Sequence, residues 1–267
     1  MEWELIARFD FLSRELKHVE ILNFLNQPFD DKGAFITITA VDSNVDSHDW
    51  VDMLLRMYSK WCESNDYQIR LVDESMREFG FEYATLEISG KYAYGYLKSE
   101  QGIHQLRRIA PFSENSKIQT SFAKVEVIPI VDESMDFEIP ERDLEIYLKP
   151  TPGNSNRQFV LAKVTHISTG ISVTCTEERN QLLNMEKALT VVKSKLFSLM
   201  QTQGVSLSDI KKPSPKITPD KPIREYTFHP YQKVKDLRTK VENSDIEEVI
   251  KGNLDLFIKA YLKQVNI

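Results

Sequence analysis

The chain of 267 residues contains only two cysteines, Cys62 and Cys175, which are far apart and have no CxxC partner. This usage is typical of two reduced structural thiols, and a bridge or a redox role is the less favoured alternative. The five histidines show no metal-ligand spacing, so we expect no metal and no other cofactor. No apolar run approaches the roughly 18 residues that cross a bilayer, so we expect no membrane partner.

The chain also has no excess of positive charge, because 34 Lys and Arg are outnumbered by 40 Asp and Glu, and the net charge of −6 argues against general binding to polyanions. One stretch departs from this balance. Between Ser89 and Lys124 there are six basic residues and two acidic ones, and this local excess predicts an anion-binding surface. The basic residues are Lys91, Lys98, Arg107, Arg108, Lys117 and Lys124.

The N-terminal ten residues, MEWELIARFD, contain acidic side chains and a helical period, which is typical of neither a signal nor a transit peptide. We therefore expect a mature chain. The apolar spacing from Glu2 to Leu25 predicts a helix that Asn26-Gln27-Pro28 ends.

The basic stretch has a strand pattern of its own. Ala93, Tyr94 and Tyr96 predict one strand, a turn follows at Gln101-Gly102, and His104 to Ile109 predicts a second strand that Pro111 ends. On the residues alone, the tyrosines and His104 fit either an RNA-stacking surface or a protein core.

The remaining pattern predicts an α+β fold. A helix with Trp50, Met57 and Trp61 on its core face should be capped by Asp46 or Ser47, and a later helix by Thr176. Asp73, Glu74 and Glu78 are interpreted as scattered surface acids. Predicted strands lie at 35–40, 68–72, 84–89, 120–122, 125–130, 144–148, 163–166, 171–174 and 226–231, with two short helices at the C-terminus.

Four motifs occur in order along the chain: DW…MLLRMY from Asp49, KYAYGYLKSEQGIHQLRRIAPF…TSF from Lys91, THISTGISVTCTEERNQ from Thr165, and FHPYQKVKDLRTKVE from Phe228. Together they resemble class I peptide chain release factors of the factor-2 type. The resemblance implies an antiparallel-sheet codon-reading domain that the C-terminal tail completes, with an inserted α+β domain. The implied boundaries are a helical segment (1–28), the reading domain (29–136 and 223–267), the hydrolase-type domain (137–210) and a stiff Pro-rich linker (211–222).

The codon-reading motif of that family is altered here. Ala110-Pro111-Phe112 stands where the family has Ser-Pro-Phe, and Gln119, before Thr120, stands where the family has a base-stacking histidine. Loss of a good base contact typically costs about 1–3 kcal/mol of discrimination.

The hydrolytic motif is altered as well. The family cleaves peptidyl-tRNA with a Gly-Gly-Gln loop, in which glycines permit close backbone approach and an N–H stabilises the oxyanion. The corresponding segment is Pro150-Thr151-Pro152-Gly153-Asn154, which is shorter than the family's and whose prolines have no N–H. We therefore expect a protein that is not an enzyme.

These losses resemble a plant plastid paralogue of the family that lacks both motifs. The resemblance implies a plastid stromal protein that binds the 3′ untranslated region of an mRNA for the cytochrome b6/f complex and protects it from exonucleases. Its partner would be single-stranded mRNA, with the ribosome as a further candidate. The predicted RNA contacts are Arg107, Arg108, Lys98, Lys117 and Gln119, with Lys91, Lys124, Arg157 and Lys163 as secondary ones.

Two alternatives stay open at this stage. The first is a divergent termination or ribosome-rescue factor, which a peptidyl-tRNA release assay would reveal. The second is a protein-interaction module without RNA binding, in which charge reversal at Arg107 and Arg108 would leave RNA affinity and its salt dependence unchanged.

Overall fold

The computed structural model describes residue 8 and residues 23–111, 117–131, 137–151, 159–176, 180–212 and 221–265, with only the backbone at 150, 151, 159 and 160. The predicted N-terminal helical segment therefore lies almost wholly outside the described residues, as does most of the Pro-rich linker. Four predicted site positions, Phe112, Pro152, Gly153 and Asn154, and the predicted contact Arg157 also lie outside them. None of the described helices is long and apolar enough to span a membrane.

The described helices and strands form an α+β arrangement. In order they are β1 (Ala34–Ala40), α1 (Val45–Ser64), β2 (Gln68–Met76), β3 (Phe81–Ser89), α2 (Ala93–Leu97), β4 (Gly102–Ile109), β5 (Ile118–Pro129), β6 (Leu144–Thr151), β7 (Phe159–His166), β8 (Ser172–Cys175), α3 (Gln181–Gln203), β9 (Arg224–Thr227), β10 (Lys233–Asp236), β11 (Glu242–Asn243), α4 (Ile246–Ile250) and α5 (Asp255–Val265).

Eight strands form the main sheet in the order β11-β10-β9-β4-β5-β1-β3-β2. Within it β4 and β9 run parallel, with Arg107 opposite Thr227, whereas the other pairings are antiparallel. A parallel neighbour needs a long crossover connection, and the inserted residues between β5 and β9 supply it. The C-terminal tail thus completes the sheet, as predicted.

Helix α1 covers one face of the main sheet, and α4 and α5 extend that cover. Trp50, Leu54 and Met57 are fully buried, and the Trp50 indole Nε1 donates a hydrogen bond to the backbone oxygen of His104 at 3.1 Å. Burial of a large apolar side chain contributes roughly 1.5–3 kcal/mol. The predicted aromatic stripe is therefore core.

The inserted domain consists of a three-stranded sheet, β6-β7-β8, with α3 packed on β7 and β8. Its core is continuous with Phe35 on the face of the main sheet that points away from α1. Two hydrogen bonds cross the contact: Val131 N donates to Ser194 Oγ at 3.0 Å, and Cys175 Sγ donates to the backbone oxygen of Val72 at 3.2 Å. The domain therefore covers part of that second face.

Asp73 is buried at this contact, which corrects its interpretation as one of three surface acids. Burial raises its pKa to about 6, and the charge of Lys195 on α3 and a hydrogen bond from the Tyr83 hydroxyl at 3.3 Å oppose that shift. Lys195 is remote in sequence, so only the packing of α3 brings the two charges together.

The prediction of a strand through Ala93, Tyr94 and Tyr96 is wrong, because these residues form helix α2. Strand β3 ends at Ser89, and the chain then turns through Gly90 at φ 154° and Tyr92 at φ 67°. Both angles lie in a region that extended strands do not use. The local alternation of small and aromatic residues was a misleading signal for a strand.

Two strands of the tail were missed. Strand β9 ends at Thr227 rather than Tyr231, and β10 and β11 follow before the helices. Their signal was weak, since β10 has one buried apolar residue, Val234, and β11 is two residues long.

Both predicted helix caps are wrong, because a different residue, an asparagine in each case, caps the helix. Asn44 Oδ1 accepts from Ser47 N at 2.8 Å to cap α1, in place of Asp46 or Ser47. Asn180 Oδ1 accepts from Leu182 N at 2.9 Å to cap α3, in place of Thr176. Asparagine is among the residues most favoured at this position.

Candidate nucleic-acid interface

The end of β4, the start of β5 and the N-terminus of α1 meet at one end of the main sheet, which we call the reading tip (residues 44–49, 107–111 and 117–121). Ile109 pairs with Ile118, and Ala110 N donates to the backbone oxygen of Lys117 at 3.2 Å. The described part of the hairpin is thus held by backbone pairing up to Ala110.

Arg107 and Arg108 point to opposite faces of β4, since side chains alternate along a strand. The Arg108 Nη2 donates to Asp46 Oδ1 at 2.7 Å and to Asp49 Oδ2 at 2.5 Å, and the side chain is 13% exposed. Arg107 is exposed and has no ion pair with the residues that the structure describes. Arg108 therefore ties the hairpin to α1, whereas the charge of Arg107 is available.

The two acids that hold Arg108 are placed by the first turns of α1. Asp46 is almost fully buried, and it also accepts a hydrogen bond from Ser121 Oγ of β5 at 3.3 Å. Carboxylates near a helix N-terminus are favoured by the helix dipole. On this side of the tip, the charge of Arg108 is therefore balanced by Asp46 and Asp49.

The residues predicted to correspond to the reading motif divide between the two sides of the tip. Ala110 is 4% exposed and offers only a methyl group, whereas Pro111 is exposed. Gln119 lies opposite Arg108 and Thr120 lies opposite Arg107. Thr120 is thus an exposed hydroxyl beside an exposed guanidinium, which suits a phosphate oxygen.

The hydrolase-type segment begins inside a strand. Strands β6 and β7 pair without interruption from Leu144 opposite His166 to Thr151 opposite Phe159. Pro150 and Thr151 are therefore strand residues, which corrects their assignment to a loop. Proline is tolerated there because β6 is an edge strand. The connection between the paired ends is 152–158, outside the described residues.

Residues 3–125 match the PCRF domain family, and residues 133–238 match the RF-1 domain family. The chain is 44% identical over 259 residues to peptide chain release factor PrfB1, chloroplastic, of Arabidopsis thaliana, covering 94% of this chain and 57% of the relative. It is 41% identical over 257 residues to peptide chain release factor 2 of Thermosipho africanus, covering 94% of this chain and 70% of the relative.

The chain belongs to the class I peptide chain release factor family. It is of the factor-2 type, as predicted. Its structure is similar to RF2 of Thermus thermophilus, with a TM-score of 0.82 at 33% identity over 97% of this chain and 75% of that one. The predicted fold is therefore confirmed. The chain spans 57% of the length of the Arabidopsis relative.

Within this release-factor fold, several predicted RNA contacts already have internal partners or lie elsewhere. Lys98 Nζ pairs with Asp30 Oδ1 at 2.6 Å and is 17% exposed. Lys124 Nζ pairs with Glu126 Oε1 at 2.6 Å on a more exposed part of β5. The charges of Lys98 and Arg108 are thus balanced by neighbouring acids, and their contact with RNA stays a prediction.

Two further predicted contacts are remote from the reading tip. Lys91 follows the end of β3, which lies level with the end of β5, whereas the reading tip lies at the start of β5. At 3.3 Å per residue along β5, Lys91 is about 30 Å from the reading tip. Its ammonium lies 5.0 Å from the centre of the Tyr92 ring. Lys163 is exposed on β7 of the inserted domain. The structure thus brings together Arg107, Lys117, Gln119 and Thr120, and separates Lys91 and Lys163 from them.

His104 and Tyr96 are also absent from the surface, so of the two alternatives, base stacking and protein core, the structure gives core for both. Both are buried, and His104 faces α1. Burial, with the nearby charge of Arg224, lowers the pKa of His104 to about 4, so the ring is neutral near pH 7. Its Nε2 lies 2.8 Å from the backbone oxygen of Glu100 and its Nδ1 lies 3.3 Å from the Tyr226 hydroxyl.

Sequence reasoning missed a buried ionic network beside His104. Arg224 of β9 donates to the two oxygens of Glu100 at 2.5 and 2.8 Å and to Asp236 Oδ2 at 3.3 Å, and all three side chains are fully buried. Arg238 donates to Asp236 Oδ2 at 2.8 Å. The network ties the C-terminal tail to β4 and so fixes the strand that carries Arg107.

The described residues contain no group of three or more His, Cys, Asp or Glu side chains that could hold a metal ion. Both cysteines are free and buried, and burial raises the pKa of Cys62 to about 12. A thiol with that pKa is a poor nucleophile and a poor metal ligand near pH 7.

Proposed function

We propose that this release-factor-family protein is a non-catalytic RNA-binding protein that binds single-stranded mRNA in a 3′ untranslated region and stabilises the transcript against exonucleases in the plastid. A bound protein would act sterically, because a processive 3′ exonuclease cannot pass it. The transcript expected from the resemblance is one for the cytochrome b6/f complex.

The observation that carries this proposal is the β6–β7 hairpin. Its strands stay paired to Thr151 and Phe159, so the connection between them is seven residues long, 152–158. That connection has one glycine, Gly153, and no Gly-Gly-Gln sequence. Peptide release in the family depends on close backbone approach and on an oxyanion-stabilising N–H, and Pro152 has none. Peptide release is therefore the family function that this sequence supports least.

RNA binding is supported by the charges that remain free at the reading tip. Arg107 and Lys117 are exposed and have no ion pair among the described residues, although the chain as a whole is acidic. Arginine and lysine bind phosphates, and the adjacent Thr120 hydroxyl can add a hydrogen bond. Ala110 and Gln119 leave the tip without the family's serine and histidine, which favours a target other than a stop codon.

A plastid location is supported by the Arabidopsis relative, whose name places that protein in the chloroplast. The chain matches it over 94% of its own length. We propose the same location, the plastid, for this chain.

A second candidate is a divergent termination or rescue factor that acts on the ribosome. It is favoured by the names of the relatives, which are peptide chain release factors at 38–44% identity over nearly the whole chain. In this alternative the 152–158 connection would have to supply a different catalytic group.

Two assays separate these functions. In the first, ribosomes with peptidyl-tRNA and a stop codon receive this protein or, as a positive control, the release factor 2 of Thermosipho africanus. We expect peptide release with the control alone, and codon-dependent turnover by this protein would refute the non-catalytic proposal.

The second assay measures protection of a labelled 3′ untranslated region of a cytochrome b6/f transcript from a 3′ exonuclease. We expect protection by the wild-type protein and a loss of protection with Arg107→Glu. Lys60→Glu, an exposed position on α1, is the matched control with the same change in net charge. Equal protection by both variants would contradict binding at the reading tip.

A further inference from the structure

The face of the main sheet that points away from α1 is only partly covered. The inserted domain packs against it at Phe35 and Ile128. The start of β5, together with β4, β9 and β10, lies outside that contact, and Ile109 and Ile118 remain 41% and 44% exposed there. Among the described residues this region forms an open sheet surface that begins at the reading tip and ends before Ile103, which is 5% exposed on the same face of β4.

The strand register arranges the open surface in rows. In the first row Thr120, Arg107, Thr227 and Lys233 are successive neighbours across β5, β4, β9 and β10. Neighbouring strands are about 4.8 Å apart, so the row is about 14 Å long. It alternates hydroxyl groups with cations.

The second row lies beside the first on the same face. Phe122, Gln105, Glu225 and Lys235 are its successive neighbours. Phe122 is half-buried but belongs to neither of the two hydrophobic cores formed by the described residues. A phenylalanine that adds to no core is available for contact with another flat apolar group.

The two rows match the two parts of a nucleotide. Cations and hydroxyls in the first row suit phosphate oxygens, and the aromatic ring of Phe122 suits a base. The amide of Gln105 and the carboxylate of Glu225 can hydrogen-bond base edges.

The far end of the surface has the same character. Tyr231 is 58% exposed, and the ammonium of Lys233 lies 5.6 Å from the centre of its ring. Lys233 and Lys235 share one acid, Glu242, at 3.1 and 2.6 Å, and Glu225 lies opposite Lys235, so two cations and two acids lie at this edge beside the Tyr231 ring.

We propose that a single-stranded RNA segment lies across β5, β4, β9 and β10, with phosphates along the row from Thr120 to Lys233 and a base stacked on Phe122. This inference rests on the proposed RNA-binding function and extends its site from the reading tip across the open sheet surface. Double-stranded RNA does not fit, because its bases are stacked internally and cannot reach the ring.

The test uses the full chain and a fluorescently labelled mixed-sequence single-stranded RNA, with binding measured by anisotropy over a series of salt concentrations. Phe122→Leu removes the ring, and Phe122→Tyr restores an aromatic surface. Lys233→Gln removes a cation from the row, and Lys60→Gln on the opposite side of the molecule is its matched control. Thermal unfolding verifies that each variant is folded.

We expect Phe122→Leu to weaken binding roughly 5- to 150-fold, the range for loss of one stacked base, and Phe122→Tyr to retain affinity. Lys233→Gln should reduce the slope of log affinity against log salt by about 0.7, whereas Lys60→Gln should not change it. A duplex of the same sequence should bind more weakly than the single strand, and Phe122→Leu should not change its affinity.

The outcomes distinguish this inference from the proposed function. If Phe122→Leu and Lys233→Gln bind like the wild type while Lys117→Gln weakens binding, the sheet path is overturned and binding at the reading tip stands. If the wild-type protein binds no single-stranded RNA, both are overturned.

Discussion

Arg107 and Arg108 are adjacent in β4, yet their environments differ completely. Arg108 is enclosed beneath the N-terminus of α1, where Asp46 and Asp49 accept its hydrogen bonds. Arg107 faces the open side of the same sheet, with no ion pair among the described residues. The contrast extends to the whole sheet, because the side under α1 also holds the paired charges of Arg224, Glu100 and Asp236.

The difference shows how one sheet serves two purposes. Charges beneath α1 are compensated internally, since a buried charge without a partner is strongly unfavourable. On the open side, solvent keeps unpaired cations hydrated at little cost, so they can remain free for an external anion. Substitutions on the two sides should therefore affect different measurements.

The largest expected effect is at the centre of the buried network. Arg224→Met leaves Glu100 buried without its main partner and Asp236 with Arg238 alone, and we expect the free energy of unfolding to fall by about 3–5 kcal/mol. Urea denaturation measures it. The double variant Arg224→Met with Glu100→Gln should recover part of the loss, and an equal or larger loss would contradict this account.

The next effect is the pH dependence contributed by His104. Its folded pKa of about 4 lies below the usual value of 6.5, so the unfolded chain binds the proton more readily between these values. The stabilising contribution is thus complete above pH 6.5 and falls by about 3 kcal/mol as pH drops through about 4. His104→Gln should flatten the stability profile in this window, and an unchanged slope would exclude His104 as its source.

A smaller effect separates the two adjacent arginines. Arg108→Met should lower the free energy of unfolding by about 1.5–3 kcal/mol, because it loses hydrogen bonds to two carboxylates. Arg107→Met should change it by no more than about 0.5 kcal/mol, as is usual for an exposed side chain. Denaturation of both variants under one condition provides the comparison, and equal losses would remove the distinction between the two sides.

The smallest effect is on RNA binding, in which substitution of Arg107 should have a larger effect than substitution of Arg108. Arg107→Gln should reduce the salt slope of binding to single-stranded RNA by about 0.7, as expected for one lost phosphate contact. Folded Arg108→Gln protein should keep the wild-type slope. A reduced slope for Arg108→Gln alone would show that the side under α1 carries the RNA.

Many of the helices and strands could be predicted from the local pattern of apolar residues. The stripe from Trp50 to Trp61 repeats at helical spacing, and the alternation in β4 is that of a strand, so both were predicted correctly. The same alternation implies that Arg107 and Arg108 lie on opposite faces, although both were predicted as RNA contacts. It did not indicate which face α1 would cover.

Other features had no local signal. Helix α2 depends on the turn through Gly90 and Tyr92, and β10 is held by pairing with β9 rather than by a strong pattern of its own. The partners of Lys98 and Asp73 are Asp30 and Lys195, which are distant in sequence. Non-local contacts of this kind override local preference.

By itself, the sequence determined the family, the α+β class and the stretch with excess positive charge, because each is written in neighbouring residues. The tertiary structure decided which of those charges are free. Burial and ion pairing depend on which distant elements pack together, and that packing occupied Arg108 and Lys98 while it left Arg107 and Lys117 exposed.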